Sequence, residues 1–169
     1  MHTDAEAGLV DFIATRSGSL LRSAWLLTGD AHKAEDLLQT VLTELWLRRG
    51  RVEHLDTYAR RMLYSTYLTW WRRRWRSEVP TGDVPDVLAG LDHADDVTSR
   101  TVVLAGLARL SRQQRAVLVL RFFEDRSVAD TAAVLKCSTG AVKTHTSRAL
   151  AALRADESLH DLIRRGGER

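Results

Sequence analysis

At 169 residues the chain is long enough for one domain or two small ones, and a 44% apolar content is enough for packed cores. Lys and Arg outnumber Asp and Glu 25 to 22, a formal charge of +3 that conceals strong local segregation. The single cysteine, Cys137, excludes an internal disulfide and a cysteine-rich zinc site, and with no signal peptide or long apolar run the chain is expected to be soluble and cytoplasmic.

No strand-like alternation bounded by turns stands out, so the expected fold is all-α. Leu9 to Leu27 carries Leu9, Phe12, Ile13, Leu20, Leu21, Ala24 and Leu27, a helical pattern interrupted by Gly18. Thr28-Gly29-Asp30 reads as a stop and a restart, with Gly29 suited to a helix C-cap and Asp30 to an N-cap. The next helix spans Ala31 to Arg49, with Ala34, Leu37, Leu38, Val41, Leu42 and Leu45 as its buried stripe. Its other side presents Asp36, Gln39, Thr40 and Thr43 at helical spacing, with Glu44 beside them. Such a face is either a solvated surface or a docking face for a basic partner helix.

Gly50 breaks the chain again, and a third helix is expected from about Thr57 to Arg76, capped by Asp56 or Thr57. It is dense in Arg and rings, and no acid occurs from Thr57 through Ser77. Leu63, Tyr67 and Trp70 lie on one stripe and Tyr64, Leu68, Trp71 and Trp75 on another, and on so basic a helix both cannot be fully buried. Arg neutralises phosphate and an exposed ring stacks on an unpaired base for about 1–3 kcal/mol, so this composition suits an opened nucleic-acid strand. The plain alternative is a structural helix with a basic surface. Residues 77–100 then hold both prolines, Gly82 and Gly90, and Glu78, Asp83, Asp86, Asp92, Asp95 and Asp96 against Arg100 alone. By composition this is an acidic flexible linker, separating a helical domain at 8–76 from another at 101–156, with a charged, frayed tail at 157–169.

Within Leu110 to Arg154 three helices are expected. Ser111 and Gln114 form a capping box for the first, and Ser127 caps the second, with Asp130 as a shorter reciprocal acid. Lys136-Cys137-Ser138 is the turn, and Thr139 opens the last helix. There Val142, Thr146, Ala149, Leu150 and Leu153 share one face, and Lys143, Thr144, Ser147 and Arg148 occupy the opposite one. Short capped helices, a tight turn and a polar, basic final helix describe a helix-turn-helix that reads DNA.

Taken together these stretches resemble the small, two-domain extracytoplasmic-function (ECF) group of sigma-70 family RNA polymerase sigma factors, and among them the actinobacterial SigE-like members. Ala34 through Trp46 resembles the family's polymerase-binding helix, Tyr58 to Arg74 its promoter-melting helix, and Leu110 to Arg121 with Ser127 to Arg154 its helix-turn-helix. The resemblance implies two helical domains, similar to sigma regions 2 and 4, that dock on core polymerase and direct promoter recognition and melting. It implies that Asp36, Gln39, Thr40 and Glu44 meet the polymerase clamp helices, and that Arg61, Ser65, Trp70, Arg72, Arg73 and Arg74 face the minus-ten element. It further implies that Lys143, Thr144, Ser147 and Arg148 read the minus-thirty-five element, with Thr139 and Arg115 near phosphates. Core polymerase, including its flap, and promoter DNA are the implied partners, and an anti-sigma factor is a further one.

Some positions depart from the family pattern. Ser65 stands where Asn is usual, Lys136 where Gly is frequent, His145 for Arg, Thr146 for an apolar residue, and Ser111 for Pro. If the turn needs positive φ, Lys136 costs about 1 kcal/mol. A rival reading is a LuxR-like helix-turn-helix regulator, because Gly140 to His145 resembles that output domain too. The all-helical, Arg- and Trp-rich first half argues against it. The six histidines are scattered, and no metal-spaced pair, phosphate loop or nucleophile motif occurs. No cofactor, metal or catalytic residue is therefore expected, and the chain is not read as an enzyme.

Overall fold

The computed structural model describes residues 2–73 and 97–167, and every regular element among them is helical. The chain divides into two compact units, Met1–Val79 and Pro80–Arg169. The first unit holds α1 (His2–Thr28), α2 (Ala31–Leu47) and α3 (Leu55–Arg73), all packed on one another. α1 runs through Gly18 without the expected break. A Cβ there would meet nothing within 4 Å, so the glycine costs only its own propensity, about 1 kcal/mol. Leu9 and Phe12 before it, and Leu20, Ala24 and Leu27 after it, are buried and hold the helix together across that point. Trp25, which the apolar periodicity did not single out, is among the largest fully buried side chains.

The stop and restart at Gly29 has a simple geometry. Gly29 takes φ +66°, its N–H reaches the Trp25 carbonyl at 2.7 Å, and the Asp30 carboxylate accepts from the Lys33 N–H at 3.0 Å. α2 then buries Ala34, Leu37, Leu38, Val41 and Leu45. Neither aromatic stripe of α3 is buried whole; each supplies one ring, Tyr67 and Tyr64, to a wedge completed by Ala59 and Leu63. Tyr64 and Tyr67 are three residues apart and so share a face. Arg60 is drawn into the same wedge and donates to the Asp56 carboxylate at 3.1 Å.

The second unit holds α4 (Val97–Ala108), α5 (Arg112–Leu118) running into a π-helical turn (Val119–Phe123), α6 (Val128–Leu135), α7 (Thr139–Ala155) and α8 (Glu157–Gly167). Two of these correct the sequence reading. Residues 97–100, assigned to the linker, open α4, while 77–96 lie outside the described residues. The stretch expected to fray after Asp156 forms α8, because Asp156 caps it and Leu159 is buried. The core of α5 to α7 is Val117, Ala132 and Val142, with Val128, Leu135 and Cys137 packed against it. Burial pushes the Cys137 thiol pKa up, in keeping with a small filler beside the turn.

Candidate docking and DNA-reading surfaces

The α2 side chains facing away from the core form one continuous strip. Asp36, Gln39 and Thr43 are exposed, and Thr40 and Glu44 are half-buried beside them. The Thr40 hydroxyl donates to the Asp36 carbonyl at 3.0 Å, a bond within the helix that leaves the Asp36 carboxylate facing outward. Glu44 accepts from the Arg48 guanidinium at 3.3 Å, and both side chains are solvated. An exposed pair of this kind contributes little to stability. At the end of the strip Arg49 lies over the Trp46 ring, 4.6 Å from its centroid.

Between the end of α2 and the start of α3 the chain turns at Gly50, φ +81°, and leaves a hollow of about 800 Å³. Arg48, Arg51, His54 and Arg61 line it with Tyr58, Val52 and Leu47, while Glu44 and Glu53 supply its only carboxylates. Arg61 is exposed, and Ser65, also exposed, follows one turn along α3. Tyr58 and Trp70 remain half-buried on this helix after Tyr64 and Tyr67 enter the core. The sequence reading selected Arg61, Ser65 and Trp70 but not Arg51, Val52, His54 or Tyr58. The fold of the 48–54 loop brings Arg51, Val52 and His54 beside Arg61, whereas Tyr58, three residues before Arg61 on α3, was within reach of helical spacing. Arg72 and Arg73 belong to α3, with side chains outside the described set, and Arg74 lies outside the described residues.

The helix-turn-helix is built as its caps suggest. Ser111 accepts from the Gln114 N–H at 3.2 Å and Gln114 returns a bond from the Ser111 N–H, a complete capping box. Ser127 accepts from the Asp130 N–H at 3.0 Å. α6 closes at Lys136, φ +53°, whose N–H and that of Cys137 both meet the Ala132 carbonyl. Ser138 then caps α7 by accepting from the Ala141 N–H at 3.0 Å. On α7, Val142 and Ala149 are buried, and Thr146 hides its hydroxyl by donating to the Val142 carbonyl at 2.8 Å. That internal bond explains how a polar residue occupies the packed side.

Thr139, Lys143, Thr144, Ser147 and Arg148 are all exposed, and the helix brings them onto one face. Arg115 does not join them. It is 5% exposed, and its guanidinium donates to the carbonyls of Ala108 at 3.2 Å and Leu110 at 3.5 Å. The expected phosphate contact is thereby corrected: Arg115 faces the interior and ties the α4–α5 turn to α5. A helical wheel of so short a helix does not reveal which flank the preceding turn will cover.

The family model for Sigma-70 region 2 matches residues 12–77, and that for Sigma-70, region 4 matches residues 100–153. The chain belongs to the sigma-70 family of RNA polymerase sigma factors. This sigma factor is 39% identical to the RNA polymerase sigma-E factor of Streptomyces avermitilis over 94% of this chain and 90% of that one. It is 39% identical to its Streptomyces coelicolor counterpart over 94% and 91%. The ECF RNA polymerase sigma factor SigL of Mycobacterium tuberculosis is 30% identical over 89% of each. These relatives mark the sigma factor as one of the ECF group. Its fold is like that of Bartonella quintana RpoE, solved in complex with the anti-sigma factor NepR: TM-score 0.72, 21% identity, 91% of this chain and 95% of that one. The match to region 2 across α1 to α3 displaces the LuxR-like alternative, which offered no account of that half. Among the described residues no helix is long and apolar enough to cross a membrane, and α8 lies outside both matched stretches of this sigma factor.

Proposed function

We propose a division of labour between three surfaces. The α2 strip of Asp36, Gln39, Thr40 and Glu44 docks on a basic helical hairpin of core polymerase. The hollow beside Arg61, with Ser65, Trp70 and the Arg72 to Arg74 run, receives the opened minus-ten strand. α7 enters the major groove at the minus-thirty-five element, with Lys143, Thr144, Ser147 and Arg148 toward base edges and Thr139 toward phosphate. The action is binding and strand capture, with no bond-breaking step of its own, and takes place in the cytoplasm, where polymerase and promoter are. An anti-sigma protein acting on this chain would mask the polymerase-facing α2 strip.

The observation that carries the reading is the α7 helix. Five polar or basic side chains share its open face, while its other face forms the core of the motif. That is the arrangement a recognition helix needs. The hollow supports the second role: basic and aromatic groups at one concavity suit a charged backbone and a flat base together. Run-off transcription with core polymerase on a promoter library tests the reading. The expected result is start-site selection at one bipartite sequence. Paired replacement of Tyr58 and Arg61 by Ala should lower open-complex yield while leaving polymerase binding intact. Transcripts that start at random with and without this chain would falsify the proposal.

A further inference from the structure

Most of α4 lies in the region 4 match, yet its main packing partner is α8, which lies outside it. Three observations describe that contact. Gly106 of α4 lies against α8 and α7: a Cβ there would come within 3.3 Å of Leu153 Cδ2 and 3.5 Å of Leu159 Cδ2. Leu159 itself is only 6% exposed. Asp156, the residue between α7 and α8, accepts from the Leu159 N–H at 3.1 Å and the Ser158 hydroxyl at 2.7 Å, and it is ion-paired to Arg109 at the end of α4. Arg109 also donates to the Ser158 hydroxyl. One carboxylate thus ends the recognition helix, starts α8 and holds the far end of α4. Along the rest of α4, Leu107 is buried, while Val102, Val103, Leu104 and Ala105 are only half-buried.

We propose that α8 is a latch for α4: it fastens α4 to the helix-turn-helix body through Leu159 and the Asp156 hub, and so fixes where the chain from the first unit joins the second. With the latch closed, α4 is part of the packed body of the second unit. With it open, α4 adds its 12 residues to the chain connecting the two units, and the helix-turn-helix core of Val117, Ala132 and Val142 stays intact because none of its members touches α8 through this contact. The inference about promoter spacing rests on the bipartite reading proposed above; the inference about docking does not.

Hydrogen exchange on the full-length protein tests the docking. Leu159→Asp removes the apolar plug, and Arg109→Ala, at a solvated position, removes the clasp without altering the core. In each, amides of α4 should exchange about tenfold faster or more, while those of Val142 to Leu150 keep the parent rate. Unchanged α4 protection in both variants would overturn the latch. So would equal loss of protection in α4 and α7, which would mark a general loosening of the unit. With core polymerase, the same variants should initiate on promoters whose spacer is lengthened or shortened by one base pair more nearly as well as on the parent promoter. If α4 loosens and spacer preference stays as sharp as in the parent, the latch does not set the joining point. Failure of the parent chain to select any start site would sink the promoter reading and leave the exchange result standing.

Discussion

Lys136 shows how one residue can be right for topology and wrong for energy. The turn needs a left-handed residue, and Lys136 supplies it at φ +53° and ψ +47°. A lysine there suffers the Cβ–carbonyl crowding that glycine avoids. Lys136→Gly should therefore stabilise the second unit by about 1 kcal/mol, read as a rise of a few degrees in its thermal midpoint; a lower midpoint would mean that the lysine stem makes a contact worth more than the strain. Arg115 makes the opposite case. Arg115→Met keeps the stem and removes the bonds to the Ala108 and Leu110 carbonyls, so it should destabilise by about 1–3 kcal/mol and leave the salt dependence of promoter binding unchanged. Loss of one unit from the log–log salt slope would return it to the phosphate contacts. Asp156 ties stability to pH. Hydrogen bonds from the Ser158 hydroxyl and from Arg109 lower its carboxyl pKa from 3.8 to about 2. A folded-state value below the unfolded one contributes stability that is complete above the unfolded pKa and fades as pH falls through the folded one. The stability gap between the parent and Asp156→Asn should hold at neutral pH and close between about 4 and about 2. A gap that persists at the acid end would show that the aspartate acts by shape and not by charge.

At the level of elements, termini govern the second unit. Ser111, Ser127 and Ser138 each satisfy an N-terminal amide of a short helix, which on its own would be marginal. Between α5 and α6 the π-helical turn matters in the same way. Its wider winding, seen in the Glu124 N–H bond to the Val119 carbonyl at 2.9 Å, leaves Phe122 and Phe123 56% and 50% exposed at the end of an otherwise buried apolar run. The α7 face carries the test of base reading. Arg148→Ala should cost about 1–3 kcal/mol of discrimination at one promoter position if the guanidinium meets a base edge. An equal loss on every sequence would assign it to phosphate. Both outcomes are measured by competition between matched and single-substituted minus-thirty-five elements with the polymerase-bound protein.

For the whole molecule, neither of the two faces proposed to read DNA gains much alone. Opening a duplex step costs about 1.4 kcal/mol of stacking, and a few phosphate contacts are quickly weakened by salt. The free chain should therefore bind promoter DNA poorly and with little preference, and core polymerase should raise both affinity and selectivity. Tight, selective binding by the isolated chain in a mobility-shift assay would contradict this. The charge pattern fits: acids cluster on the α2 strip and in the stretch 77–96, and Arg clusters on α3, so a net of +3 says little about either surface.

Sequence alone determined what depends on near neighbours along the chain. Apolar spacing placed the buried stripe of α2, side-chain oxygens three residues ahead of an amide marked the caps, and the polar face of α7 followed from its period. All of these are local, because a helix closes its own hydrogen bonds. Tertiary structure decided what depends on contact between distant residues. It brought Arg51 and Val52 beside Arg61, turned Arg115 inward onto the Ala108 and Leu110 carbonyls, carried α1 through Gly18, and closed α8 onto α4 through Arg109 and Asp156, which are 47 residues apart. A single sequence does not reveal such pairings, since burial on a second element, and not any local preference, supplies the free energy that fixes them.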